Sequence, residues 1–180
     1  MSRPEVDPKM LTHNGTGPAE LVPLIRDKAL PYLIGRGLDL GCGHEKVKPE
    51  AIGIDNQSQY PGAADIAIEV RDVPKFFLPN RWDYIFASHI LEHIPHWEQA
   101  LKEWHGLLKV GGVLFLYLPN TEANHAWSCN SAEAYRTHHV VDLSPGLVRQ
   151  RMEDYRFDIV EWEPDWDQYG CFHIVGRKRD

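Results

Sequence analysis

The run Gly37-Leu38-Asp39-Leu40-Gly41-Cys42-Gly43, followed by Ala51-Ile52-Gly53-Ile54-Asp55, decides how this chain is read. A short, largely apolar run suits a buried strand, and the glycines after it let backbone approach a ligand closely. An acid closing the next strand is placed to grip ribose hydroxyls. The pair points to a nucleoside-containing cofactor held at the ends of two strands.

The surrounding composition sets bounds on that reading. The 180 residues fit one domain, which at this length buries roughly 70% of the surface of its unfolded chain. Hydrophobic residues at 43% and charged residues at 25% are ordinary globular values and argue against extended disorder. The net charge is -7, and the basic residues cluster only at Arg177-Lys178-Arg179. Polyanion binders carry a basic stripe, so nucleic acid is disfavoured as a partner. Cys42, Cys129 and Cys171 are odd in number and form no CxxC pair, which reads as reduced thiols. No charged and then apolar leader is visible, and no apolar run reaches ~18 residues, so a soluble, cytoplasmic protein without a membrane span is expected.

Outward from the glycine turn, residues 1–18 carry Pro4, Pro8, Gly15, Gly17 and Pro18 and read as a flexible arm, leaving 19–180 as the domain. Apolar positions at helical spacing predict a helix over 19–34, with Pro23 in its first turn and Pro31 as a kink or terminator. Apolar runs of strand length recur at 37–40, 51–54, 66–70, 83–87 and 113–118, and such continuous runs suit strands covered on both faces. Between the last two, Trp97, Ala100, Leu101, Trp104, Leu107 and Leu108 form one helical face, with Glu98 and Lys102 as an i,i+4 pair and Gly111-Gly112 as the stop. Residues 120–142 are a long polar connection containing Trp127 and Tyr135. Ser144 caps a helix that has Pro145 at its first position. Residues 157–163 and 169–176, separated by a turn with Trp166, predict an antiparallel hairpin at a sheet edge.

In order, Leu38-Asp39-Leu40-Gly41-Cys42-Gly43, Ile54-Asp55, Trp82-Asp83-Tyr84-Ile85-Phe86-Ala87-Ser88, Leu91-Glu92-His93, Leu107-Leu108-Lys109-Val110-Gly111-Gly112 and Leu118-Pro119-Asn120 resemble the class I S-adenosylmethionine-dependent methyltransferases. The resemblance implies an α/β fold: a single Rossmann-like domain with a mostly parallel seven-stranded sheet and an antiparallel C-terminal hairpin. It implies S-adenosylmethionine as cofactor and S-adenosylhomocysteine as product. In that frame Gly41, Cys42 and Gly43 lie under the methionine moiety, and Asp39 organises the site near the cofactor's amino group. Asp55, with Asn56 beside it, takes the ribose hydroxyls. Glu69, followed by Val70, faces the adenine amine, with Asp72 as the alternative acid, while Ser88 and His89 meet the methyl donor. Asp39 has a second reading, a strand-end acid capping local amides.

The sequence departs from the family at the opening feature. Glu45 stands where the family writes a third glycine, and His44 to Glu50 is too short for a crossover helix, since parallel strands normally need roughly a dozen connecting residues. A shortened first crossover is therefore expected.

Methyl transfer from a sulfonium needs alignment above all, which can supply about 7–11 kcal/mol without acid or base. A hydroxyl or ammonium acceptor must still lose a proton, and His89, His93 and His139 are the catalytic candidates, with His138 beside the last. His89-Ile90-Leu91-Glu92-His93 also matches the HxxEH pattern of zinc peptidases, which requires both histidines on one helical turn. A divalent ion on His89, Glu92 and His93 is a further reading, although relatives that bind one place a glutamate at the position of His89; no metal site is assigned from the sequence. Trp127, Tyr135 and Trp166 are read as either an aromatic wall or packing anchors. The expected activity is methylation of oxygen or nitrogen on a small-molecule or carrier-bound acceptor. The alternative is a domain that binds the cofactor or its product without turnover.

Overall fold

The computed structural model describes residues 22–56, 64–120, 139–165, 167 and 170–180. The arm, Trp127, Cys129, Tyr135, His138 and Trp166 lie outside them. Seven strands form one sheet: β1 (Gly37–Leu40), β2 (Ile52–Asp55), β3 (Ile66–Ala67), β4 (Trp82–Ser88), β5 (Leu108–Pro119), β6 (Phe157–Glu163) and β7 (Cys171–Lys178). Their order is β3-β2-β1-β4-β5-β7-β6. β1 to β5 pair in parallel, while β7 runs antiparallel between β5 and β6. Among the described residues the α-helices are α1 (Val22–Ala29), the single-turn α2 (Val73–Phe76), α3 (Trp97–Leu107) and α4 (Pro145–Asp154).

Side-chain alternation along the central strands builds two apolar layers, because successive residues of a strand point to opposite faces. Ile85, Ala87, Leu114, Leu116 and Leu118 pack with Trp97, Ala100, Leu101 and Trp104 of α3 and Val148 and Met152 of α4. Tyr84, Phe86, Val113, Phe115 and Tyr117 face the other way, against Val22, Ile25 and Ala29 of α1 and against Val47. Both sheet faces are thus covered, which explains the unbroken apolar runs in β4 and β5.

Local chemistry sets the element ends. α1 gives way at Pro31 to the 3-10 turn Leu30–Tyr32, as expected of a residue without an amide proton. The hydroxyl of Ser144 accepts from the Leu147 amide at 3.4 Å and Pro145 opens α4. Three sequence expectations need correction. The run 66–70 is a strand only over Ile66–Ala67; Val70 instead begins a 3-10 turn that sinks its side chain into the core. α3 ends at Leu107, before Gly111-Gly112, because Leu108 already pairs with Trp82; the glycines lie inside β5, where the register shifts. Glu98 pairs with Arg151 of α4 at 2.5 Å and so ties two helices together.

Candidate functional site

The turn after β1 is held by its own backbone. The amides of Gly41 and Cys42 donate to the carbonyl of Ile54 at 2.8 and 3.3 Å, and the Gly43 amide donates to Oδ2 of Asp55 at 3.1 Å. Gly41 and Gly43 have φ of 72° and 52°, in the left-handed region that favours glycine. A Cβ on Gly41 would stand 2.9 Å from the Ile90 side chain, so the turn lies flush against the segment after β4. Cys42 is buried, and burial together with the charges of Asp39, Asp55 and Asp65 pushes its thiol up to about 12. It fills space and is no nucleophile.

No helix links β1 to β2, as the short spacing predicted. In its place Val47 plugs the core, and its amide donates to Oδ2 of Asp39 at 2.5 Å. Arg26 of α1 clamps the same loop: Nε donates to the Val47 carbonyl at 2.9 Å, and Nη2 to the Lys46 carbonyl at 3.1 Å and to Glu45 Oε1 at 2.6 Å. Glu45, which replaces the family's glycine, is therefore part of a side-chain clamp that the sequence reading missed. Asp39 is 1% exposed. Burial raises its carboxyl to about 7, against the opposing pull of the Val47 amide and of Lys46 and Arg26.

A cleft of about 220 Å³ opens beyond the carboxyl ends of the parallel strands, lined by Asp55 at the end of β2 and Asn56 after it, Glu69 to Arg71 after β3, and Ile90 and His93 to Pro95 after β4. Open α/β sheets bind ligands at this end, where the strand order reverses about β1. Asn56 donates to Glu69 Oε1 at 3.1 Å across the mouth. Of the expected cofactor residues, Asp55, Asn56, Glu69 and Val70 line this space, and Gly43 reaches it through Asp55. Asp72 does not line it and is paired with Lys75 at 2.6 Å.

The end of β4 carries a polar cluster. Ser88 is buried, and its hydroxyl has no partner among the described residues. His89 follows with φ of 50°, its ring edge-on to Tyr117, its Nε2 3.4 Å from Cys171 Sγ and its Nδ1 3.4 Å from Glu92 Oε1. Burial alone would lower its pKa, but the Cys171 sulfur and the Glu92 carboxylate outweigh that and push it up to about 10. Leu91–His93 form one 3-10 turn preceded by the non-helical His89-Ile90 pair. The two histidines do not share a helical face, and the peptidase arrangement is absent.

Glu92 is the centre of the cluster. Its side chain is 1% exposed, with His93 Nε2 at 3.8 Å and His139 Nε2 at 3.9 Å from Oε1. The amides of Val140 and Val141 both donate to its backbone carbonyl, which fastens the 139–141 segment to the turn. The rings of His93 and His139 meet edge-on with centroids 5.1 Å apart. The sequence already grouped His89 and His93 with Glu92 in one HxxEH run. That His139 joins them left no signal in spacing, because α3 and β5 intervene.

A family model described as a methyltransferase domain matches residues 14–162. Among solved structures, the fold is similar to that of a SAM-dependent methyltransferase from Archaeoglobus fulgidus, with 16% identity and a TM-score of 0.71 over 90% of this chain and 95% of that one. A SAM-dependent methyltransferase from Thermotoga maritima gives 16% identity and a TM-score of 0.67 over 89% of this chain and 91% of that one. The YcgJ protein of Bacillus subtilis gives 13% and 0.64, over 89% and 99%. At these identities the likeness is one of fold. No curated protein matches the sequence.

Proposed function

This chain belongs to the methyltransferase domain family whose model it matches, and we propose that it is an S-adenosylmethionine-dependent methyltransferase acting on oxygen or nitrogen of a small-molecule or carrier-bound acceptor. The observation that carries the reading is the bond from the Gly43 amide to Asp55, which joins the glycine turn and the strand-end acid at the mouth of one cleft. The lining fits the cofactor: Asp55 offers a carboxylate for ribose hydroxyls, Glu69 one for the adenine amine, and the buried Ser88 hydroxyl is an orphan polar group at the end of β4. When bound, the cofactor supplies a methyl group on a sulfonium, so the protein's task is to align the acceptor and exclude water. Ile90, Ile94 and Pro95 give the cleft its apolar wall. His93 lines the cleft with His139 next to it, and this reading gives these imidazoles the task of taking the acceptor's proton; His89, 3.4 Å from Glu92, serves to orient that carboxylate. The acidic balance favours a small acceptor over nucleic acid.

Calorimetry with S-adenosylmethionine and S-adenosylhomocysteine tests the reading: micromolar binding of both is expected, and binding of neither overturns it. The helix-free first crossover, which removes a set of helix N-terminal amides from the cofactor, favours a second reading as a non-catalytic binder. Labelled-methyl transfer over a metabolite panel separates the two.

A further inference from the structure

We propose that Glu92, His93 and His139 form a binding site for a divalent transition-metal ion of the zinc class. Each of the three presents one ligand atom, and these atoms all lie within 4.8 Å of one another. Donors about 2.0–2.1 Å from a tetrahedral zinc ion sit about 3.4 Å apart. The contacts from Glu92 Oε1 to the two imidazoles, at 3.8 and 3.9 Å, therefore need only about half an ångström of closure.

The second observation is the state of Glu92 itself. Its side chain is 1% exposed, and neither carboxylate oxygen has a hydrogen-bond partner among the described residues. The Nδ1 of His89, 3.4 Å away, is too poorly aligned to satisfy it. Leaving a buried carboxylate without hydrogen bonds is costly; His89 offsets its charge from one side only, and an ion between Glu92, His93 and His139 would supply the missing contacts on the other. The donor set also selects the ion: two imidazoles and one carboxylate suit zinc, cobalt or iron(II) better than magnesium or calcium, which take oxygen ligands. His89 stands behind the carboxylate, where an outer partner orients a ligand. Three protein ligands leave a fourth position for water or a substrate oxygen. His93 also lines the cleft, so that position adjoins the proposed acceptor site. This last step rests on the methyltransferase reading: an ion there would lower the pKa of an acceptor hydroxyl so that its proton passes to solvent water, and the resulting alkoxide would take the methyl as the sulfonium's carbon–sulfur bond breaks. The ion site does not rest on it.

The test uses the full chain, stripped with EDTA and titrated with cobalt(II) followed by competition with zinc. The expected result is one cobalt per chain with the visible absorption of a low-coordinate site, displaced by zinc. His93→Ala and His139→Ala should each weaken cobalt binding at least tenfold, with the thermal midpoint of the stripped protein read alongside to exclude misfolding. Failure of the wild-type chain to take up a stoichiometric ion overturns the proposal without reference to any variant. Uptake that survives both substitutions overturns it as well, by locating the ion elsewhere. Calorimetry with S-adenosylhomocysteine on the stripped protein keeps this outcome distinct, since cofactor binding needs no ion.

Discussion

The Gly43 amide points at Oδ2 of Asp55 across 3.1 Å, so one carboxylate both closes the glycine turn and borders the cleft. Asp55→Ala should therefore weaken S-adenosylhomocysteine binding by more than a peripheral contact would. Hydrogen bonds to a charged acceptor are worth roughly 1.5–3 kcal/mol each, so losing one should cost roughly tenfold to a hundredfold in affinity and losing both should take binding beyond calorimetric detection. Affinity within threefold of the wild type would remove Asp55 from the site.

The first crossover is held by Arg26 more than by Glu45, although the two side chains are bonded to each other. Arg26 also satisfies the carbonyls of Lys46 and Val47, and Val47 is fully buried. Arg26→Ala leaves those carbonyls to find water and should destabilise the fold by about 1–3 kcal/mol. Glu45 is half exposed, so its ion pair is worth little. Glu45→Gly, which restores the family's glycine, should shift stability by less than about 1 kcal/mol. Urea unfolding of the two variants checks the order, and an equal loss in both would show that the ion pair carries the loop.

Asp39 makes stability depend on pH in an unusual direction. Its folded-state pKa of about 7 lies above the unfolded value of about 3.9. Between these limits the folded chain holds a proton that the unfolded chain has released. Its contribution is therefore most favourable below about pH 4, declines as pH rises, and levels off above about pH 7, a swing on the order of 4 kcal/mol. Asp39→Asn keeps an acceptor for the Val47 amide but does not ionise. The stability of this variant relative to wild type should grow from pH 5 to pH 8. Parallel urea midpoints at both pH values would mean that the carboxylate is ionised at little cost.

Strands covered on both faces were the most legible elements, and β1 matches the predicted span because Gly37 to Leu40 is buried at every position. The errors fall where pairing across the chain overrides local pattern. Leu108 joins β5 through Trp82, and Glu98 turns from Lys102 to Arg151 on a helix far away in sequence. At the candidate site the strand-end acid and the glycine turn could be picked out, because they lie within one strand–loop–strand unit, β1 to β2. The meeting of Glu92 with His139 was not, since it depends on two backbone bonds from Val140 and Val141 that no residue type announces. The Arg26 clamp was hidden for the same reason: a lone arginine on a helix carries no sign of which carbonyls it will reach.

Cys42 sits inside the glycine turn, yet its chemistry is that of a packing residue. With its thiol held up to about 12 and its side chain buried, only about one part in ten thousand is thiolate at pH 8, and that fraction has no exposed path to a reagent. Labelling by iodoacetamide should therefore be confined to molecules that have opened. Peptide mass spectrometry should find Cys42 unmodified after hours in native buffer and fully modified in concentrated urea. Cys42→Ala should then cost about 1–2 kcal/mol for the lost sulfur, while S-adenosylhomocysteine affinity stays within about twofold, because the thiol is buried and does not line the cleft. Rapid native labelling would instead mean that the turn opens readily, and a large loss of affinity in the alanine variant would place the side chain against the cofactor.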